Sequence, residues 1–411
     1  MVGKSSVINH GTSAKALVYP SATVAGYGHI YSLGKSGIHT VALSEGVCST
    51  FYSRYTEEHH TVPNPKEDVS AFVEWLVSYG KEQPEKPVLF LVEDLYAYLG
   101  SYYADELDSY YHFAYLEPET MDTFFDKKYM YTSIEDTSIN VPETIYSPLG
   151  EDEIEDWHRF PAVVKPLVSR FDFEDGLRST NTFPDVFDAK AIQVDDQSEL
   201  AEVIERTQDH DIDVCVQELV PGSNENIGDV KFVADESGSI RNAFTSIKQR
   251  QYPPDFGTCA LVKSASLPEL CEYAEEFCDA TGFHGPGSIE FKKSDMDGMW
   301  YFIEINPRLD GWIRMAALNN VNLPLDQYLY ASSNGRIDTT QRTGNYWVHV
   351  PRDLKGYYWR KKHGKWDLSI FDLLKPYPRA DAAVFNLRDP LPTVLKYGYM
   401  PVKKVREVVP I

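Results

Sequence analysis

Two acidic residues, an amide and an arginine suggest a metal-dependent site near residue 300. Glu290 is followed further along the chain by Glu304, Asn306 and Arg308, the last three within the run EINPR. Carboxylate and amide oxygens are ligands that Mg²⁺ and Mn²⁺ prefer. A divalent cation beside a fixed guanidinium provides the chemistry of phosphoryl transfer, because both neutralise charge on the transferred group.

These residues can share a metal only if the chain brings them together, and their segment has the pattern of a β-hairpin. Polar and apolar residues alternate over 288–292 and 301–306, with a mostly polar loop and an Asp-Gly step between them. If the hairpin is symmetric about Asp297, Glu290 lies opposite Glu304 with Cβ atoms roughly 5 Å apart. Like charges at that distance repel unless a cation lies between them. The other face would carry the apolar residues Ile289, Phe291, Ile303 and Ile305.

The hairpin segment alone leaves two other interpretations open. Asp295, Asp297, Gly298 and Glu304 fall on positions of a calcium-binding loop, although Lys293 would stand at the first position and cannot ligate. A solvated hairpin with incidental acidic residues is the second alternative.

The composition bounds the class of protein. A chain of 411 residues with 43% apolar and 25% charged residues is long enough for two or three globular domains. A net charge of −23 argues against nucleic acid or an anionic membrane as partner. Five scattered cysteines without zinc-site spacing favour a reduced, cytoplasmic setting, and neither a signal peptide nor a long apolar run is evident.

Alternating strand and helix patterns predict an α/β or α+β fold. Residues 16–44 are typical of a βαβ unit with Gly26 and Gly28 in the first turn. A dinucleotide fingerprint is incomplete, because Tyr31 stands where the third glycine belongs. The patterns further predict helices at 68–81, 121–136, 198–208 and 267–282, strands at 160–166, 213–222 and 239–254, and a less regular chain after about 335.

Four motifs, taken in order, resemble those of ATP-grasp enzymes over nearly the whole chain. They are FFDKKYMY with Lys127, PAVVKP with Lys165, QELVPG at 217–222, and Glu290 followed by EINPR. The resemblance implies a Rossmann-like pre-ATP-grasp domain at 1–120 and a two-lobed ATP-grasp domain at 121–335. Its small lid lobe would cover about 140–222 and its catalytic lobe about 223–335, and a C-terminal extension at 336–411 would pack on it.

The resemblance also implies how ATP is bound. One lysine on the helix that opens the ATP domain and another at the end of the next strand would meet the phosphates, the second also reaching the adenine edge. The QELVPG segment would border adenine, and a polar side chain after it would reach the ribose. Lys128 remains an alternative to Lys127 for the phosphates, and Asn224 an alternative to Glu225 for the ribose. The implied ATP-binding residues are Lys127, Lys165, Gln217, Glu218, Val220 and Glu225.

The reacting end of the site is implied in the same way. Glu290, Glu304 and Asn306 would hold Mg²⁺ or Mn²⁺ between the β- and γ-phosphates. Arg308 would stabilise the transferred phosphoryl group or an acyl phosphate. Lys248 and Arg250, which alternate along a strand, resemble a basic pair that binds phosphate or a substrate carboxylate. Without the family context the lysines of 127–128 could be a solvated helix face, and residues 248–250 a charged edge strand.

Within the superfamily, several segments are similar to carboxylate–amine ligases of the D-aspartate ligase type: KQRQYPPDFGT, LDGWIRMA and DPLP. The resemblance implies that a carboxylate attacks ATP to give an acyl phosphate, which an amine then converts to an amide. The implied partners are a small-molecule carboxylate and amine, and a homodimer is common in similar proteins. Alternatives are a thiol or bicarbonate acceptor, or a non-catalytic ATP-binding module.

One segment departs from the family pattern. Many ATP-grasp proteins carry a glycine-rich loop over the phosphates after the strand lysine, whereas residues 167–189 contain one glycine, Gly176. Arg170, Arg178 or Lys190 would then cover the phosphates instead. Substrate specificity would depend on the loops at 20–35 and 92–120 and on Asp310, Trp312 and Arg314.

Overall fold

The computed structural model describes residues 13–173, 176–254, 256–333, 335–364 and 368–399. The predicted domain at 1–120 includes residues 1–12, and the predicted C-terminal extension at 336–411 includes residues 400–411. Both stretches lie outside the described residues. The strands are β1 Ala16–Tyr19, β2 Thr40–Ser44, β3 Glu58–Thr61, β4 Val88–Leu91, β5 Thr144–Tyr146, β6 Ala162–Pro166, β7 Phe171–Asp172, β8 Arg178–Ser179, β9 Ile192–Val194, β10 Val214–Glu218, β11 Ile227–Ala234, β12 Ile240–Tyr252, β13 Thr258–Ser264, β14 Gly285–Lys293, β15 Trp300–Asn306, β16 Tyr346–Val348 and β17 Ala380–Ala382. The α-helices are α1 Val24–Lys35, α2 Val69–Lys81, α3 Asp94–Tyr102, α4 Ala104–Leu107, α5 Pro118–Phe124, α6 Lys127–Thr132, α7 Glu151–Glu155, α8 Phe183–Phe187, α9 Gln197–Asp209, α10 Pro268–Thr281, α11 Ile313–Leu318, α12 Leu323–Ser333, α13 Val350–Lys362, α14 Ile370–Leu374 and α15 Pro390–Val394.

The first sheet is parallel, with strand order β3-β2-β1-β4. Three of its strands, with the sequences ALVY, TVALS and VLFL, are almost wholly buried, as expected for a parallel sheet covered on both faces. Helix α1 returns the chain from β1 to β2, and α2 leads into β4. This arrangement agrees with the βαβ start predicted from the sequence.

The prediction that Gly26 and Gly28 form the turn of this unit is wrong. Both lie inside α1, which begins at Val24 after the Thr23 hydroxyl caps the helix by accepting a hydrogen bond from the Gly26 amide. Close packing leaves no room for a side chain at these positions. A Cβ at Gly28, for example, would lie 2.7 Å from the Ile313 side chain of α11.

A second, antiparallel sheet has the order β5-β10-β6-β9 and lies within the segment predicted as the lid lobe. Its apolar face packs with α9, whose Leu200 and Ile204 are buried in the same cluster as Val164 and Val216. Residues Lys165 and Cys215 are paired across β6 and β10. The end of β6 therefore lies beside the QELVPG segment.

The third sheet is the largest and has the order β15-β14-β11-β12-β13-β16-β17. Its central strand β12 extends from Ile240 to Tyr252, and α10 packs against β11 and β12. The C-terminal segment is more regular than predicted. It adds β16 and β17 to this sheet and forms the thirteen-residue helix α13.

The C-terminal segment also returns to the first sheet. The Asp389 carboxylate accepts hydrogen bonds from the Tyr27 hydroxyl at 3.0 Å, the Ser53 hydroxyl at 2.6 Å and the Arg54 amide at 3.0 Å. The Arg314 guanidinium of α11 pairs with Asp381 of β17 at 2.9 and 2.6 Å. These buried contacts hold the first sheet, the large sheet and the C-terminal segment together.

The predicted helix at 121–136 is divided into α5 and α6. The chain breaks at Phe125–Asp126 because Asp126 acts as the N-cap of α6, accepting a hydrogen bond from the Lys128 amide at 3.0 Å. The Lys127 amide donates to the carbonyl of Leu167 at 3.0 Å. This break places Lys127 at the start of a helix next to the end of β6.

Candidate active site

A cleft of about 1000 Å³ lies between the second sheet, β5-β10-β6-β9, and the large third sheet. Residues from both sheets line it, together with Asp94 from the first domain and Arg360 from α13. It brings together most of the residues predicted from the sequence. The predicted residues that line it are Lys127, Lys165, Gln217, Glu218, Val220, Glu225, Lys248, Glu290, Glu304, Asn306 and Arg308.

The hairpin β14–β15 has the predicted register at its polar face. Glu290 pairs with Glu304 across the strands, and Asn306 is opposite Ser288. One expectation for the apolar face is wrong, because a bulge after Glu290 pairs Phe291 with Phe302. Phe302 is therefore buried in the core, whereas Ile303 is half-buried and borders the cleft.

The Glu290 carboxylate already holds a cationic group. The Lys248 ammonium of β12 forms an ion pair with Glu290 Oε2, and both side chains are largely buried. Although burial disfavours a charged lysine, the neighbouring Glu290 raises the pKa of Lys248 above its usual value. Burial raises the pKa of Glu290, and the Lys248 ammonium opposes this by favouring the carboxylate form.

The donor set fits a divalent cation that keeps part of its coordination for substrate. Among the described residues, no three His, Cys, Asp or Glu side chains converge as a complete metal site. Two opposed carboxylates and an amide would supply three oxygens, one each from Glu290, Glu304 and Asn306, if each binds through a single oxygen. Mg²⁺ is commonly held by one or two carboxylates while phosphates and water supply the remaining ligands.

Arg308 is fixed by a residue of the first domain. Its Nε and Nη2 atoms donate to the two Asp94 carboxylate oxygens, each at 2.7 Å, and Nη2 lies 3.4 Å from Asn306 Oδ1. Burial opposes the charge of Arg308, but the Asp94 carboxylate raises its pKa. A bidentate pair of this kind fixes the plane of the guanidinium. Asp94 lies in the first turn of α3, directly after β4.

Two further lysines, Lys127 and Lys165, also line the cleft. Lys165 Nζ donates to Gln217 Oε1 at 2.6 Å, and Gln217 Nε2 donates to the Thr144 hydroxyl at 2.9 Å. Lys127 lies nearby, and burial lowers its pKa below the usual value. Two lysines converge here with no carboxylate paired to Lys165 in the described part of the chain, which suits a polyanion.

The segment after β10 turns at the edge of the lid. The Glu218 carboxylate accepts a hydrogen bond from the Glu143 amide at 3.1 Å and pairs with Arg159 at 3.3 Å. The Val220 side chain is buried at the cleft wall, and the exposed Glu225 lies in a short 3₁₀ turn at Asn224–Asn226.

The structure does not bring Arg250 to the cleft. Its guanidinium pairs with Asp353 of α13 at 2.8 Å through two hydrogen bonds and donates to the Leu373 carbonyl at 3.0 Å. Irregular pairing in β12 on both sides of Arg250 breaks the simple alternation assumed from the sequence. Lys248 therefore faces Glu290, whereas Arg250 joins the strand to the C-terminal segment.

A buried charged cluster beneath Arg308 was not predicted. Lys231 of β11 is fully buried, and its ammonium lies 3.0 Å from Asp229 Oδ1 and 3.1 Å from Ser288 Oγ. It also forms an ion pair with Asp310 and lies 3.7 Å from the centre of the Trp312 ring.

The sequence did contain a signal for this cluster. The strand IGDVKFVA places Asp229 and Lys231 two residues apart, hence on one face of an otherwise apolar strand. A lysine in such a strand needs a buried partner. Asp94, by contrast, carried no pattern that distinguishes it from the neighbouring acidic residue Glu93.

The sequence matches no family model and no curated protein. Solved structures are similar in fold. L-amino acid ligase from Bacillus licheniformis is 15% identical with a TM-score of 0.54, and the match covers 80% of this chain and 75% of that one. N5-carboxyaminoimidazole synthetase from Staphylococcus aureus, complexed with ADP, is 13% identical with a TM-score of 0.59, covering 87% and 88%.

A third similar structure is the biotin carboxylase domain of Hydrogenobacter thermophilus 2-oxoglutarate carboxylase, in complex with MgADP, ADP and bicarbonate. It is 15% identical with a TM-score of 0.59 over 81% of this chain and 73% of that one. These likenesses confirm the fold that the four motifs predicted. The chain has the ATP-grasp fold, with a parallel α/β domain before it.

The described residues also bear on membrane association. Among them, every helix is too short or too polar to cross a lipid bilayer.

Proposed function

We propose that this protein is an ATP-dependent ligase that activates a carboxylate as an acyl phosphate and joins it to an amine. The observation that carries the proposal is the shared cleft. Two lysines that could bind a polyphosphate line the same cleft as the opposed carboxylates and the anchored arginine. The amino acid ligase among the similar structures supports an amino acid as one substrate.

The residues divide the task between them. Lys127 and Lys165 would bind the phosphates, while Val220 and the backbone around Glu218 would border adenine. Glu290, Glu304 and Asn306 would hold Mg²⁺, which supplies charge neutralisation between phosphate oxygens when bound. Arg308 would face the transferred phosphoryl group, and its bidentate pairing keeps the guanidinium in place before substrate arrives.

Lys248 would leave Glu290 and turn to the substrate carboxylate or to a phosphate once the metal binds. Its ammonium and the metal compete for the same carboxylate oxygen. The protein therefore mainly positions and neutralises anions, as expected for phosphoryl transfer.

A coupled assay tests the proposal. The protein is incubated with ATP, Mg²⁺, the common amino acids with their amino groups acetylated or bicarbonate as acids, and ammonium or amino acid amides as amines. ADP and phosphate should accumulate only when both partners are present. ADP release that needs an acid but no amine would contradict the amide product, and release supported by bicarbonate alone would favour a carboxylating enzyme.

A further inference from the structure

The buried cluster near Arg308 places two carboxyl groups against one ammonium, and burial raises the pKa of one of them, Asp229. The Lys231 ammonium is wholly buried and is already satisfied by Asp229, at 3.0 and 3.1 Å from its two oxygens, and by Ser288. Asp310 is a second carboxylate on the same ammonium. Asp310 therefore shares its ammonium partner with a second, more deeply buried carboxyl group.

The two carboxylates differ in their access to the cleft. The Asp229 side chain is 2% exposed and also accepts hydrogen bonds from Ser246 and Ser288. The Asp310 side chain is 17% exposed and lines the cleft, and its Oδ2 atom makes no hydrogen bond to another residue in the described parts of the chain. Asp310 is therefore the more accessible carboxylate of the cluster and the one that can meet a ligand in the cleft.

Asp310 lines the cleft close to Arg308. It follows Arg308 by two residues, and its charge is among those that raise the pKa of Arg308. Trp312, whose ring contacts Lys231, also lines the cleft, and its indole N–H donates to Ser246 at 3.1 Å. Lys231 pairs with the Asp310 carboxylate, and the Trp312 ring packs on the ammonium of that lysine.

The charges of the reactants decide what this carboxylate can bind. ATP and the substrate carboxylate are anions and are repelled by Asp310, whereas an aliphatic amine arrives as an ammonium ion at neutral pH. On the basis of the proposed ligase function, we propose that Asp310, fixed by Lys231, binds the nitrogen of the amine substrate and accepts its proton. Asp310 takes one proton from the ammonium, which frees the lone pair of the nitrogen. The nitrogen then bonds to the acyl carbon, and the bond from that carbon to the phosphate oxygen breaks. The departing phosphate takes the second proton from the nitrogen and leaves as hydrogen phosphate.

Hydroxylamine separates this role from acyl phosphate formation. It is small, uncharged at neutral pH and traps acyl phosphates as hydroxamates, so it needs no anionic site. Wild type and Asp310→Asn are given ATP, Mg²⁺ and the acid accepted by the wild type, with either hydroxylamine or the accepted amine. We expect Asp310→Asn to keep most hydroxamate formation and to lose amide formation by about 100-fold, the scale for loss of a general base.

The ratio of hydroxamate to amide is the decisive quantity, because a smaller folded fraction lowers both products equally. Asp310→Glu should restore part of the amide yield, and Asp279→Asn, an exposed acid on α10, should leave the ratio unchanged. Equal loss of both products, or retention of both, in Asp310→Asn would overturn the inference. Hydroxamate but no amide from any amine in the wild type would overturn it together with the amine acceptor. A wild type that makes neither ADP nor hydroxamate would refute the proposed ligase function itself.

Discussion

The Lys248 ammonium forms an ion pair with the Glu290 carboxylate, on the strand face where the sequence predicts a metal. In the described structure a protein cation thus lies against one of the two opposed carboxylates. The pairing offsets the repulsion between Glu290 and Glu304 when no divalent ion is bound. It also means that the lysine and the metal compete.

Replacing this lysine should separate metal binding from turnover. Lys248→Met removes the competing ammonium and leaves two carboxylates facing each other, so we expect Mn²⁺ to bind about tenfold more tightly in the presence of ADP, a gain of about 1.4 kcal/mol. Turnover should nevertheless fall, because the variant cannot bind the substrate anion. Electron paramagnetic resonance of Mn²⁺ measures the first effect and ADP release the second. Unchanged Mn²⁺ affinity would show that the ion pair does not compete with the metal.

Glu304 provides the opposite test of the metal site. Its side chain is exposed to the cleft and has no ion pair within the described residues, so Glu304→Gln should leave the fold intact. Losing one of two carboxylate ligands should weaken Mn²⁺ binding by at least tenfold and reduce turnover by about 100-fold. Thermal unfolding without nucleotide serves as the control and should be unchanged. If nucleotide binding and turnover both stay at the wild-type level, the metal assignment is wrong.

Asp94 should act on catalysis through Arg308. Asp94→Asn keeps one acceptor oxygen but loses the charge and the second hydrogen bond, so the guanidinium is no longer held in one plane. We expect kcat to fall about 100-fold, the scale for loss of one transition-state donor, with little change in the KM for ATP. Asp94→Glu should recover part of the activity. A rise in the ATP KM with normal kcat would show instead that Asp94 shapes nucleotide binding.

Arg250 should affect stability rather than chemistry. Arg250→Met leaves the buried Asp353 carboxylate with its hydrogen bond from Tyr377 but without a cation, which costs about 3–5 kcal/mol. Urea denaturation should report this loss. The double variant Arg250→Met, Asp353→Leu removes both charges and should recover much of it. A folded Arg250→Met protein with normal stability and a raised substrate KM would restore the role first inferred from the sequence.

The alternation of polar and apolar residues along the strands, and the spacing of the acidic residues, made much of the site predictable. Strand alternation is a strict geometric rule, so the pairing of Glu290 with Glu304 followed from the hairpin once its centre was placed. The same rule failed where the backbone departs from it. The bulge after Glu290 moved Ile303 out of the core, and irregular pairing turned Arg250 away from the cleft.

Contacts between distant segments of the chain could not be predicted from the sequence. Arg308 and Asp94 are separated by 214 positions, and no local pattern indicates which acidic residue of the first domain meets the arginine. Gly26 and Gly28 illustrate another limit, since glycine serves equally in a phosphate-binding turn and at a tight helix contact. The neighbouring surface, here Ile313, decides between them.

The buried hydrogen bonds of Asp389 have a consequence for substitutions in the C-terminal segment. The carboxylate braces the first domain through Tyr27 and Ser53, and that domain supplies the Asp94 that steadies Arg308. A substitution at Asp389 touches no substrate, yet it would loosen the platform on which the arginine is aligned. Such a substitution would lower activity although it lies far from the reacting atoms. The DPLP motif would then be assigned a catalytic role, although its Asp389 only stabilises the domain that carries Asp94.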